Sequence, residues 1–280
     1  MNRAARFVTV LAVAAAVLST AGCNKLKARD QLNKGVQAYR GANYEEAINH
    51  FQSAVGLDPD LKVAKMYLAT AYAQQYVPGV ETPDNLRNAQ QAIEAYKNVL
   101  EADSKNVTSL KGIAFLYMQQ KKFDDSREYY KKAIDADPND PETYYSVGVI
   151  DWSQTFKDAG DIKSKDGLHV EDELKGKGSQ KLCDAMKTKD EQNVDEGMKM
   201  LQAAIDKRQD YDDAMAYMNL LYRRKANDMT CDDAEARANY IKAANDWSDK
   251  AMAARKKKAE EAAKKTGGGI VLDQPKPQSQ

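Results

Sequence analysis

A pattern that recurs about every 34 residues constrains the fold of this chain more than any other feature. The segments "YEEAINHFQSAVGLDP" (44–59) and "FDDSREYYKKAIDADP" (123–138) both begin with an aromatic residue and two acids and end in Asp-Pro. A third copy, "AIEAYKNVLEADS" (92–104), has Ser104 in place of the proline. The ends of the three copies lie 45 and 34 residues apart, so the longer interval contains 11 inserted residues. Such a period indicates stacked copies of one structural unit.

The spacing within each copy predicts helix. Small and aromatic residues alternate at intervals of four and three: Ala47, Phe51 and Ala54 in one copy, and Ser126, Tyr130 and Ala133 in another. These intervals place each set on one helical face, where the small residues let a second helix approach closely. Asp-Pro then ends the helix, because proline cannot donate a backbone hydrogen bond and disfavours helix in the residue before it. One helix pair cannot bury its apolar face alone, so the fold class we expect is all-α, a right-handed solenoid of stacked antiparallel helix pairs.

The period and the composition of the copies resemble the tetratricopeptide repeat family. The positions of the first helix in each unit match as well: Gly35 and Ala38; Leu68, Ala69 and Tyr72; Leu110, Ile113, Ala114 and Tyr117; Tyr144, Val147 and Gly148. The resemblance implies a solenoid over 28–265, with about five units and two insertions. The expected units are about 28–61, 62–106, 107–140, 141–211 and 212–265.

The fourth unit contains the longer insertion. The second-helix spacing recurs at Gly197, Leu201 and Ala204. This copy ends near Gln209, 71 residues after Pro138, so 37 residues are inserted, roughly 156–192. The insertion is rich in Lys, Asp and Gly and has a short helix candidate around 182–186. Two interpretations stay open at this point: a functional addition on one face of the solenoid, or a solvated and partly disordered loop.

The end of the chain reads as a long helix and a tail. The charged segment 255–265 resembles a solvated cap that protects the last stack. Contact with anionic lipid is the alternative, but Glu260 and Glu261 interrupt the positive charge. Three glycines, 267–269, then stop the helix, and 266–280 is expected to be a flexible tail.

The amino terminus has the three-part layout of a secretory signal peptide, expected to cover 1–22. Arg3 and Arg6 precede twelve uncharged, mostly apolar residues (7–18) and four small ones. Twelve helical residues span roughly 18 Å, less than the ~30 Å hydrocarbon core, so a retained membrane span is not expected. "TAGC" resembles the lipobox of bacterial lipoprotein precursors. The resemblance implies that Cys23 is lipidated and that 23–27 is the anchored start of the mature chain.

The residue after the cysteine indicates which of two membranes the expected lipoprotein would occupy. Asn24 stands where lipoproteins retained in the inner membrane have Asp. The resemblance therefore favours the outer membrane, with the folded part facing the periplasm. The alternative is an ordinary signal peptide cleaved nearby, which would leave Cys23 a free thiol on an exported protein.

Composition and motifs argue against nucleic-acid binding, metal binding and catalysis. Lys and Arg number 42, as do Asp and Glu, so no strong field favours nucleic acid. The chain has two histidines. His169 with Cys183 and Cys231 matches no zinc spacing, and neither a phosphate-binding glycine loop nor a nucleophile elbow is present. We therefore expect no enzymatic activity, cofactor or metal.

Cys183 and Cys231 remain after the lipidation site. In an oxidising compartment a pair of cysteines usually bonds. A Cys183–Cys231 disulfide would join the insertion of the fourth unit to the loop between the helices of the fifth.

Function is then expected on the surface. In the tetratricopeptide family the first helices line a groove that binds a peptide, and the resemblance transfers that role to outward positions here: Tyr39, Arg40, Lys111, Phe115, Gln119, Tyr145, Trp152, Arg223 and Arg224. Aromatic and cationic residues suit a partner with apolar anchors and carboxylates. The alternative is that Phe115, Tyr145 and Trp152 only complete packing between repeats.

Two functions follow. The first is a non-enzymatic scaffold, a lipid-anchored periplasmic adaptor that binds a protein partner in an envelope assembly, secretion or pilus system. The alternative is an envelope-binding module that contacts peptidoglycan or a small solute, or supports an enzyme that acts there.

Overall fold

A computed structural model describes residues 23–265 of the chain. The predicted signal peptide, 1–22, and the predicted tail, 266–280, lie outside the described residues. Within 23–265 the structure contains ten α-helices and no strand, which confirms the all-α prediction. None of the helices in this range is long and apolar enough to span a bilayer.

The chain divides into two compact units between Pro138 and Asn139. The first unit contains six helices: α1 (23–40), α2 (Tyr44–Leu57), α3 (Lys62–Gln75), α4 (Pro83–Ala102), α5 (Val107–Gln119) and α6 (Phe123–Ala136). The second unit contains four: α7 (Pro141–Lys163), α8 (Gln180–Lys207), α9 (Asp212–Asp228) and α10 (Ala234–Lys265).

In the first unit, neighbours in sequence pack against each other from α2 through α6, and α3 also contacts α5. Small residues make this close approach possible. A Cβ atom at Gly35 of α1 would lie 2.5 Å from the ring of Phe51, and one at Gly112 of α5 would lie 2.6 Å from the ring of Tyr96. In both places the aromatic residue of a second helix therefore fills the space that a glycine leaves in a first helix, within one predicted unit for Phe51 and in the next unit for Tyr96.

Local sequence sets the helix ends. α2 ends immediately before Asp58-Pro59 and α6 immediately before Asp137-Pro138, as the Asp-Pro pattern predicts. At α4, the Thr82 side chain accepts from the backbone amide of Asn85, and Pro83 occupies the first turn. Pro83 fits there because the first turn has amide groups without helical partners.

In the second unit, α7 packs along α8, α8 against α9 and α9 against α10, with further contact between α7 and α9. Gly148 of α7 lies against Leu201 of α8, where an added Cβ would lie 2.5 Å from the leucine Cγ. The two helices thus meet at the predicted first-helix and second-helix positions.

Most of the predicted insertion is helix. α7 continues to Lys163 and α8 begins at Gln180, so 164–179 alone connects them, with two short 3-10 turns. The helix candidate at 182–186 is the first part of α8, which runs without interruption to Lys207. A separate small core stabilises this region, which we call the insertion cluster: Ala159, Leu174, Cys183, Met186 and Cys231. A partly disordered loop, one of the two interpretations of the sequence, is not what the structure shows.

Candidate functional site

The clearest exposed surface among the predicted groove residues lies on α5. Lys111, Phe115 and Gln119 are four residues apart and therefore share one helical face. Phe115 is 43% exposed, whereas Ile113, Ala114 and Leu116 are buried on the other side of α5. The structure thus presents an aromatic ring to solvent between a lysine and a glutamine.

The two groove residues predicted on α1 differ in environment. Arg40 is exposed. Tyr39 packs edge-on against the rings of Tyr44 and Tyr67, at centroid distances of 5.5 and 6.3 Å. Burial, followed by the neighbouring Tyr44, raises the pKa of Tyr39. Tyr39 is therefore mainly a packing residue of the first unit.

Tyr145 and Trp152 of α7 lie in a cluster of aromatic rings in the second unit. Both pack edge-on against Tyr217 of α9, at 5.6 and 5.4 Å between centroids. Tyr145 also contacts Tyr211, and Trp152 contacts Phe156. Burial, followed by the nearby Tyr217, raises the pKa of Tyr145 to about 12. These two half-buried residues join α7 to α9, which agrees with the alternative that they complete packing between repeats.

The two arginines at the end of the predicted groove point in different directions. Arg223 is exposed and donates to the side-chain oxygens of Asn219 and Asn245, at 2.8 and 3.0 Å. Arg224 is 7% exposed and pairs with Asp228. Its assignment to a partner-binding groove is therefore wrong, because the guanidinium is turned inward to neutralise a buried carboxylate.

That carboxylate belongs to a buried ionic cluster that the sequence did not reveal. Lys163 and Asp228 are fully buried and form an ion pair. Lys163 also donates to the backbone oxygens of Val170 and Asp172, at 2.9 and 2.6 Å. The cluster ties α7, α9 and the connecting segment 164–179 together. Its groups are enclosed and paired with each other, so it is a structural feature and offers no surface for a substrate.

A second buried acid, Asp190 of α8, lies close to Asp158 of α7. Neither carboxylate oxygen of Asp190 has a hydrogen-bond donor as partner among the described residues. Burial, followed by the charge of Asp158, raises the pKa of Asp190 to about 7. Asp158 in turn pairs with Lys189 at 3.0 Å. A proton on Asp190 would relieve the repulsion between the two acids. Nothing in the sequence alone distinguishes Asp190 from the exposed acids of α8.

The cysteines differ in accessibility. Cys183 and Cys231 are joined in a disulfide, with 5.5 Å between their Cα atoms. Arg237 holds the same region by donating to the backbone oxygens of Leu174 and Cys231. Cys23 is exposed and not bonded to another cysteine. In the described part of the chain, no three His, Cys, Asp or Glu side chains are arranged to hold a metal ion.

Comparison with known proteins supports the tetratricopeptide interpretation. Residues 86–147 match the family model described as "Tetratricopeptide repeat". Among curated proteins, the chain is similar to the mitochondrial import receptor subunit TOM70 of Rattus norvegicus. The two are 26% identical over 158 residues, which is 53% of this chain and 25% of that protein. This chain therefore spans about a quarter of the length of that relative.

Solved structures of MamA have the same fold. One MamA structure has a TM-score of 0.56 at 13% identity, over 89% of this chain and 98% of that one. MamA from Desulfovibrio magneticus RS-1 gives 0.54 at 15% identity, over 82% and 96%. At these identities the likeness concerns the fold alone. The predicted fold class, a solenoid of stacked antiparallel helix pairs of the tetratricopeptide type, is confirmed.

Proposed function

We propose that this protein is a lipid-anchored periplasmic scaffold that binds a protein partner in the cell envelope through the exposed face of α5. Tetratricopeptide proteins are protein–protein interaction scaffolds, and this chain has their fold. The observation that carries the proposal is the exposed ring of Phe115, which a rigid helix holds at the surface while the residues beside it are buried.

The chemistry of the α5 face indicates the kind of partner. Binding is favoured when an apolar side chain covers a solvent-exposed aromatic ring, because apolar surface is removed from water. Aromatic residues are frequent among the residues that contribute most to binding at interfaces. Lys111, one turn before Phe115, adds a cation, and Gln119, one turn after, adds an amide that can both donate and accept. Together they suit a segment with an apolar anchor and a nearby carboxylate.

Two further features support the location and the role. Cys23 is exposed at the start of α1, where an attached lipid would not disturb the helix packing. The similar curated protein is named an import receptor subunit, which is a binding role. An envelope assembly, secretion or pilus system is the setting that we propose for the partner, since the predicted export signal and the lipobox resemblance are typical of envelope proteins.

Site-specific photo-cross-linking in intact cells tests the binding face. A benzoylphenylalanine at position 115 should form adducts with a defined envelope protein, identified by mass spectrometry. The matched control places the same residue at 135, an exposed position on α6. Phe115→Ser should weaken capture of the same partner by about ten-fold or more, and Asp135→Ser should leave it unchanged.

The outcomes separate the candidate functions. Equal adducts from positions 115 and 135, or no protein adduct at all, would contradict the scaffold. In that case binding of purified peptidoglycan fragments or small solutes becomes the test, since an envelope-binding module is the remaining function from the sequence.

A further inference from the structure

An apolar patch lies on the short insertion between α3 and α4. Val77, Val80 and Leu86 are 54%, 41% and 44% exposed, and we call these three residues the loop patch. They come from the connecting segment 76–82 and the first turn of α4. Val80 and Leu86 line the same pocket, and exposed aliphatic side chains brought together in this way commonly mark an interaction site.

The segment that presents the patch is held in one conformation by Asn85, which is 6% exposed. The Asn85 side-chain oxygen accepts from the amide of Val77 at 2.7 Å. Its nitrogen donates to the backbone oxygens of Val77 and Val80, at 2.7 and 2.6 Å. A loop fixed in this way loses little conformational entropy when a ligand binds. The exposed valines are therefore part of an ordered surface.

A pocket of about 540 Å³ adjoins the patch. Val80, Leu86 and the buried Tyr76 form its apolar side, and Gln90 and Gln119 add amide groups. Lys121 and Lys122, at the turn between α5 and α6, also line it. Glu81 is the one acid that lines it, so the two lysines give the pocket an excess of positive charge.

We propose that this pocket binds a short acidic peptide segment of a partner protein, with an aliphatic side chain against the loop patch and a carboxylate beside Lys121 and Lys122. Charge complementarity and the preformed apolar side select this chemistry over a basic or a purely polar segment. The proposal rests on the proposed scaffold function and deepens it. Gln119 belongs to both surfaces, because it lies one turn after Phe115 on α5 and also lines the pocket.

The test is a selection of random peptides displayed on phage against purified protein that carries Cys23→Ser. We expect enrichment of sequences in which an acid neighbours an aliphatic residue. The affinity of a selected peptide is then measured by fluorescence anisotropy. Val80→Asp and Lys121→Glu should each weaken it by about ten-fold or more.

The controls are matched in exposure and charge change. Val63→Asp replaces a valine that is 44% exposed at the start of α3, and Lys97→Glu reverses an exposed lysine of α4. Both should leave the affinity unchanged. Because Val80 is exposed, Val80→Asp should fold normally, which circular dichroism checks.

Three results would overturn the inference: no enriched peptide, enrichment without acidic residues, or equal affinities for Val80→Asp and Val63→Asp. The cellular cross-linking at position 115 gives an independent answer. Adducts from 115 that persist in Val80→Asp would overturn the pocket proposal and leave the scaffold intact. Peptide binding that depends on Val80, without any adduct from 115, would support the pocket and contradict the scaffold as proposed.

Discussion

The cost of burying a charge explains the arrangement around Asp228. A carboxylate loses its hydration when it is enclosed, and only close cations or donors compensate for that loss. Asp228 has two such cations, Lys163 and Arg224, and all three side chains are almost completely inaccessible. These three side chains therefore join α7 to α9, and removal of one of them would leave a buried charge without compensation.

We predict that Asp228→Ala lowers the free energy of unfolding by about 3–5 kcal/mol, because it leaves two buried cations without a counter-charge. Urea unfolding followed by circular dichroism measures the change. The matched control is Asp161→Ala, which removes the exposed partner of Lys157. Exposed pairs contribute little, so the control should unfold almost as the parent does. Equal effects of the two substitutions would contradict a stabilising buried cluster.

Asp190 should make stability depend on pH in the opposite direction to an ordinary surface acid. Burial and Asp158 raise its pKa to about 7, so the folded protein holds a proton that the unfolded chain releases near pH 4. Stability from this group is therefore present at low pH and is lost as the pH rises from about 4 through about 7. Asp190→Asn should remain stable as the pH rises, because the amide does not release a proton.

We expect Asp190→Asn to be more stable than the parent at pH about 8, by on the order of 4 kcal/mol, and similar to it near pH 4. Urea unfolding at several pH values measures the difference. Glu191→Gln, at the neighbouring exposed position, is the control and should show no such trend. A difference that does not change with pH would contradict the raised pKa.

Residue-level environment was the least predictable part of the sequence. Arg223 and Arg224 are adjacent and chemically identical, yet one is solvated and the other buried. Helical periodicity defines which residues share a face, but not which long polar side chains find a counter-charge in another element. Asp228 lies on α9 with Arg224, whereas Lys163 comes from the insertion, whose path the 34-residue period does not specify.

At the scale of elements, glycines set the separation of the helices. Gly148 and Gly160 both lie within α7, but an added Cβ at Gly148 would overlap Leu201, whereas one at Gly160 would meet no atom within 4 Å. Alanine favours helix over glycine by about 1 kcal/mol, so a site without steric conflict gains from the exchange. Where the added Cβ atom would overlap a neighbouring side chain, the same exchange destabilises the protein.

We therefore predict opposite effects for two identical substitutions in one helix. Gly148→Ala should destabilise the protein by about 1–3 kcal/mol through overpacking, and Gly160→Ala should stabilise it by about 0.4–1 kcal/mol. Both are measured by urea unfolding. Destabilisation of similar size at both sites would show that the α7–α8 contact at Gly148 is not what limits the helix separation.

The disulfide acts on the insertion. It links residues 48 apart, and closing a loop of that length in the unfolded chain is worth about 2–4 kcal/mol by chain-entropy estimates. The double variant Cys183→Ala, Cys231→Ala should lose that amount in urea unfolding. A reducing agent should destabilise the parent and leave the double variant unaffected. An identical response of both proteins to the reductant would contradict this role.

The elements themselves were largely predictable. The ends of α2 and α6 follow from Asp-Pro, because proline acts locally. The insertion was ambiguous because its Lys, Asp and Gly content is that of a solvated loop. What orders it is tertiary: the packing of Ala159, Leu174 and Met186 and the bond between two cysteines that are distant in sequence.

At the scale of the whole molecule, the fold was predictable because the repeated sequence pattern requires similar helix–helix contacts at several places along the chain. One small residue facing one aromatic recurs at Gly35 with Phe51 and at Gly112 with Tyr96. The boundaries of the five repeat units, by contrast, stay predictions. The outward residues of the first helices differ from unit to unit, so the period indicates their positions but not what they bind. The groove role of Phe115 was implied by the tetratricopeptide resemblance and stays a prediction, whereas the loop patch comes from residues inserted outside the period.

The proposed attachment of the molecule to a membrane depends on Cys23, and substitution of the neighbouring Asn24 offers a sensitive test. With an attached lipid of more than one chain, the parent should be recovered in the outer-membrane fraction and released only by detergent. Cys23→Ser should be recovered in the soluble fraction or keep its leader uncleaved. Asn24→Asp should stay lipidated but move to the inner membrane, as the lipobox resemblance implies.

Fractionation of a two-membrane host, with metabolic labelling by radioactive palmitate, measures both properties. A parent protein without label that fractionates like Cys23→Ser would contradict the lipid anchor. It would leave an ordinary exported protein with an exposed thiol, since Cys23 has no cysteine partner in the fold. A labelled parent together with an unlabelled Cys23→Ser would place the lipid at the first described residue of α1. The binding surface that we propose on α5 would then belong to a protein that is held at the membrane.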